Sequence, residues 1–141
     1  MNYLAGLILI GVDFDQVRAF VIFVHLLGDY AQLSSLYDGN LTKHFTLSDH
    51  VYSWLLAEEP ELEQLFSSHE IPITTLFAGP FMAVFANIFD DPETCLHIVD
   101  RLILQKEMAL VNIIKHVFKN MKKELLNDGG NDSKATLRDS G

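Results

Sequence analysis

The chain has 141 residues, 49% of them hydrophobic and 21% charged, with a formal net charge of -9. That length suits one globular domain with a sizeable core. The acidic balance argues against nucleic-acid binding through a basic surface and against unaided docking on anionic lipid. Cys95 is the single cysteine, which rules out an internal disulfide and fits a reducing compartment.

The opening stretch, MNYLAGLILIGVDFD, is apolar from Leu4 to Val12 and carries no Lys or Arg. A secretory leader needs a basic start, and a membrane span needs roughly 20 apolar residues, so the run fits neither. It reads as a core helix that starts without a cap. Asp13-Phe14-Asp15-Gln16 opens a second helix, with Asp13 expected as the cap and Gln16 completing a capping box. Val17, Phe20, Val21, Val24 and Leu27 recur at helical spacing, and Ile22, Phe23 and Leu26 make this helix apolar nearly all round. Such a helix is expected at the centre of a bundle, ending near Tyr30.

Tyr37-Asp38-Gly39-Asn40 is a turn cluster. Ser48 or Asp49 is expected to cap the third helix, whose buried stripe is Leu47, Val51, Trp54 and Leu55. Pro60 ends it, because the residue before a proline avoids helical geometry. A short helix over Glu61 to Ser67 follows. Ile71-Pro72 starts an element that reaches Phe89, with a kink or a division into two pieces expected at Gly79-Pro80. Asp91-Pro92-Glu93 combines a cap, a first-turn proline and an acid at the positive helix end, and the helix runs through Leu104. The last helix lines up Leu110, Val111, Ile114, Val117, Phe118, Met121 and Leu125, with Lys115, Lys119, Lys122 and Lys123 largely off that face. Gly129 and Gly130 are expected to stop it. The fold class expected is all-α, an irregular bundle of about six or seven helices. It covers residues 1–126, and 127–141 form a polar tail expected to be disordered.

No cluster announces an active centre. Cys95 and His97, two apart on a helix, face different ways. His69 and His97 as axial haem ligands would need a matching apolar pocket, so both read as ordinary polar histidines. Glu58, Glu59, Glu61 and Glu63 read as a solvated run. Asp13, Asp15 and Arg18 fit capping and surface pairing. No zinc or phosphate-loop spacing occurs, so neither a metal nor a cofactor is expected.

The segments MNYLAGLILI, DFDQVRAFVIFVHLLGDY, LSSLYDGNL, EEPELEQLFSSHEIP and FAGPFMAVFANIFDDPETCLHIVDRLI, in that order, resemble the C-terminal part of a TBC domain. TBC domains are GTPase activators for Rab GTPases. Met1, Asn2, Tyr3, Leu4, Ala5 and Gly6 match the end of the family's Tyr-x-Gln-Gly-Met-Asn-Tyr-Leu-Ala-Gly motif. Asp15 and Phe20 match an acidic-aromatic helix, Pro60 and Leu62 the next element, Phe81 and Phe85 an aromatic segment, and Ile98 and Asp100 an Ile-Trp-Asp turn. Pro80 stands where the family usually has Trp, and Val99 fills the Trp slot of that turn, so local packing is expected to differ.

The resemblance implies a Rab-family small GTPase as partner, with GTP and Mg²⁺ bound by that partner. It also implies a cytoplasmic setting peripheral to endomembranes, a part in membrane trafficking, no nucleic acid and no membrane insertion. Asn2 and Tyr3 become the expected partner-binding residues. No catalytic residue is implied, because the family's Arg, in Ile-x-x-Asp-x-x-Arg, and its Gln, in Tyr-x-Gln, both lie upstream of Met-Asn. Arg18, Gln16 and Gln32 match neither motif. The chain is therefore expected to be a truncated reading of a longer activator or an inactive fragment. The alternative is a non-catalytic helical module that binds a GTPase or a partner helix.

Overall fold

The computed structural model describes residues 2–139, with side chains described through Asp128. Among these, the regular elements are all helical, as the sequence leads one to expect. They are α1 (Asn2–Gly11), α2 (Gln16–Leu27), a 3-10 helix (Leu33–Tyr37), α3 (Thr42–Glu58), α4 (Pro60–Ser68), α5 (Ile73–Met82), α6 (Pro92–Gln105) and α7 (Met108–Asp139).

The core gathers on α3, which packs against α4, α5, α7 and the 3-10 helix. Its expected stripe of Leu47, Val51, Trp54 and Leu55 is buried. Around it runs a row of rings. Phe66 meets Phe118 at 5.5 Å between centroids, Phe118 meets Phe77 at 5.6 Å, and Phe77 meets Phe81 at 5.7 Å. Phe85 and Phe89 extend the row at 6.1 and 6.5 Å. Tilted and edge-on pairs at such spacings add to the burial of the rings. The α1–α2 pair sits to one side, with α1 resting on α6 and α6 on α7. Polar ties close the seams. The Tyr37 hydroxyl donates to the Met82 carbonyl at 2.9 Å, and burial pushes its phenol pKa up. Lys43 pairs with Glu107, joining the start of α3 to the α6–α7 turn.

Several helix ends differ from the sequence expectation. Asp15, not Asp13, caps α2, its Oδ1 accepting from the N–H groups of Val17 and Arg18 at 3.1 Å. Asp13 and Phe14 instead take left-handed φ values of 53° and 62°, spent on reversing the chain after α1. The capping box is therefore absent, and α2 stops at Leu27, where the Gly28 N–H returns to the Val24 carbonyl. α3 begins at Thr42 rather than beside Ser48, because Asp38 Oδ1 accepts from the N–H groups of Asn40 and Leu41 and closes the turn early. Ser48 lies buried inside the helix.

α5 passes through Pro80, which stands in its last turn, and ends at Met82, short of the expected Phe89, the chain then turning through Val84 and Phe85 with φ of 46° and 63°. Pro80 removes one donor, but its own carbonyl accepts from the Phe85 N–H at 2.8 Å. α7 continues past Gly129 and Gly130, where a stop is expected. Glycine costs a helix about 1 kcal/mol relative to alanine but keeps its N–H, so it weakens a helix without forbidding it. Met1, Ser140 and Gly141, which carry the ends of the first motif and of the polar tail, lie outside the described residues.

The acidic run is not wholly solvated either. Glu59 Oε2 lies 2.6 Å from Lys122 Nζ, with Glu61 at 3.7 Å, so α7 is tied to the α3–α4 junction. The hydrogen bond to Glu59, with Glu61 adding its charge, holds the Lys122 ammonium above the usual lysine range.

Candidate partner-docking face

α1 buries Leu4, Leu7 and Ile8, which turns Tyr3, Gly6 and Ile10 to the opposite side. Asn2 and Tyr3 are both exposed, Tyr3 by 54%. Gly6 is informative because of what surrounds it. A Cβ built there would meet nothing within 4 Å. No glycine among the described residues has positive φ, so the backbone at Gly6 does not require one either. A glycine inside a helix costs about 0.5–1 kcal/mol against alanine, and nothing within the described chain repays that here. Gly11 is the contrast, since its Cβ would stand 3.1 Å from Leu96 Cδ2 on α6.

α2 corrects the sequence reading most sharply. Only Ala19 and Leu26 are buried. The stripe expected in the core points outward, with Val17 75% exposed, Phe20 66%, Val21 49% and Val24 48%. Phe14, at 67%, continues it from the turn. A helix apolar on all sides is thus covered on one side only. Exposed apolar stripes of this kind are a common feature of interaction surfaces. Phe14 adds strain, since a bulky residue at positive φ costs on the order of 1–3 kcal/mol.

The other singled-out groups serve the fold. Arg18 pairs with Asp15 at 3.4 Å, one turn back, and Gln16 begins α2. Gln32 precedes the 3-10 helix at φ 54°. Gln16 and Arg18, two apart on one helix, face different ways. His69 caps the end of α4, its Nδ1 2.9 Å from the Leu65 carbonyl oxygen, while His97 lies on α6 and shares a groove with His116. No metal-holding cluster of His, Cys, Asp or Glu occurs among the described residues. No helix described is long and apolar enough to cross a membrane.

Cys95 is buried and donates from Sγ to the Phe89 carbonyl at 3.4 Å. Burial, then the nearby charges of Asp91 and Asp90, push its thiol pKa up. The thiolate is the reactive form. Alkylation of the native chain at pH 8 is therefore expected to run at least about tenfold slower than in urea-unfolded chain. Equal rates, followed by mass spectrometry, would contradict this placement.

A family model described as the Rab-GTPase-TBC domain matches residues 1–126. The chain belongs to the TBC family. No curated protein and no solved structure gives a match. The TBC match spans α1 to α6 and the first part of α7, and so includes every motif segment seen in the sequence, the last of which ends in α6. It agrees with the helical architecture.

Sequence reasoning singled out Asn2 and Tyr3 through the TBC motif, and both are exposed, but it assigned the α2 stripe to the core. The pattern alone gives no phase when every side of a helix is apolar. The signal that was available is Gly6, a helix-weakening residue at the middle of α1.

Proposed function

We propose that this chain serves a Rab-type GTPase as the non-catalytic part of a Rab-activating TBC domain. Asn2 and Tyr3 contact the partner assembly, and GTP and Mg²⁺ reside on the GTPase. The setting is cytoplasmic, at the periphery of endomembranes, in vesicle traffic. The observations that carry the reading are the uncovered apolar face of α2 and the open space around Gly6 on α1, in a chain whose residues 1–126 match the family.

Activation of this kind needs an arginine against the charge on the transferred phosphoryl group, an effect on the order of 10³–10⁵ in rate. It also needs a glutamine to orient the attacking water. Arg18 is engaged with Asp15 at the start of α2, Gln16 stands two residues before it on the same helix and so faces another way, and Gln32 belongs to the loop before the 3-10 helix. The chain alone therefore does not stimulate hydrolysis. A version supplied with the upstream family segments, carrying Ile-x-x-Asp-x-x-Arg and Tyr-x-Gln, does.

The test is single-turnover GTP hydrolysis by a panel of Rab GTPases with both versions. Stimulation by the extended version alone supports the proposal. Failure of the extended version across the panel overturns the activator reading. The exposed stripe favours one second reading, a non-catalytic module for a GTPase or partner helix. Binding by the extended version without any stimulation would select it.

A further inference from the structure

α6 and α7 form a helical hairpin joined at Lys106 and Glu107, with a groove of about 420 Å³ between them. His97 and Arg101 stand one turn apart on α6, facing Asn112 and His116, one turn apart on α7, across the groove. Ile113 and Val117 supply apolar wall. Ten residues line the groove and none is acidic. That is notable in a chain with 19 Asp and Glu against 10 Lys and Arg.

The basic groups are uncommitted. None of Arg101, His97 and His116 takes part in an ion pair among the described residues. Asp91, whose carboxyl feels His97, spends its oxygens on the start of α6. It accepts from the Glu93 and Thr94 N–H groups at 3.2 and 3.1 Å and from the Thr94 hydroxyl at 2.8 Å. The Asn112 amide donates to Gln105 Oε1 at 3.2 Å, which orients it beside the groove.

We propose that this groove binds a small amphiphilic anion from solution. A carboxylate or phosphate head lies on Arg101 between His97 and His116, and a short apolar body lies on Ile113 and Val117. A guanidinium fork matches either head in a bidentate way. Imidazole donates at least one N–H in either protonation state. The volume falls within the range of small-molecule sites, roughly 300–1,000 Å³. The net charge of -9 repels an anionic bilayer, so the ligand arrives as a monomer rather than as membrane lipid.

Octanoate, octyl phosphate and neutral 1-octanol are titrated into the full chain while the histidine ring signals are followed by NMR. The His97 and His116 signals should move with the two anions. Octanol should bind about tenfold more weakly or worse, the loss expected for a charge-assisted hydrogen bond. Arg101→Gln should weaken octanoate by a similar factor. Equal binding of octanol and octanoate overturns the proposal, and so does unaltered octanoate binding by folded R101Q. The octanol comparison uses the unmodified chain, so it decides the matter even if the variant fails to fold. Vesicles of phosphatidylcholine with phosphatidic acid form the last arm. Binding there without binding of octyl phosphate would overturn the monomeric ligand.

Discussion

Replacing Phe81 with alanine lowers the stability by about 3–5 kcal/mol, the range for emptying a fully buried phenylalanine site. Phe81 has no exposed surface. Its ring touches three others, Phe77 at 5.7 Å, Phe85 at 6.1 Å and the stacked imidazole of His44 at 6.3 Å. His44 cannot simply move into the space, because its Nε2 lies 2.7 Å from the Leu36 carbonyl oxygen, its hydrogen-bond partner. The backbone just beyond is already bent at Val84 and Phe85, which limits collapse. Urea unfolding followed by the fluorescence of Trp54, the single tryptophan, reads the change directly. The midpoint should fall by 1 M or more, given slopes of about 1–3 kcal/mol per M, with the slope itself unchanged. Phe45, half exposed on α3, is the control, and its alanine variant should stay within about 0.5 kcal/mol. A Phe81→Ala cost below about 1 kcal/mol would show that the ring row is not packed as described.

Gly6→Ala makes the isolated chain more stable by about 0.5–1 kcal/mol, because it removes a helix-interior glycine and adds a methyl group to open space. Gly11→Ala gains less or loses, since the new methyl group must displace Leu96. The pair separates a glycine that the chain itself needs from one that it does not. A bulky residue at the same place, Gly6→Leu, should leave the fold intact and cut partner binding by about 30-fold or more, the size of a hot-spot loss. Thermal unfolding and binding to the extended activator's Rab together measure both effects. If Gly6→Ala destabilises the chain, the glycine is explained from within and loses its link to docking.

How legible all this is in the sequence depends on how local the cause is. Asp91-Pro92-Glu93 carries its cap within three residues, and α6 starts there as expected. The α3 stripe has one clear phase, and it is buried. The start of α3 is missed because the Asp38 side chain competes for backbone N–H groups ahead of the hydrophobic pattern. The outward side of α2 is missed because an all-round apolar helix leaves its phase to whatever covers it. The meeting of His97 with His116 is invisible for a different reason, since it exists only once α6 and α7 lie side by side. The motif order of the family was legible throughout, because it needs residue types and sequence order rather than contacts.

The ring row also bears on the order of events during synthesis. Phe118 on α7 closes it, touching both Phe66 and Phe77. The ribosome therefore releases α3, α4 and α5 before the aromatic surface that completes their packing exists. Until Phe118 emerges, Phe66 and Phe77 are unsatisfied hydrophobic surface on a nascent chain, the kind of surface that holding chaperones recognise. The core is finished from its C-terminal side, and a stalled or early-released product would carry α3 to α5 complete in sequence yet open in structure.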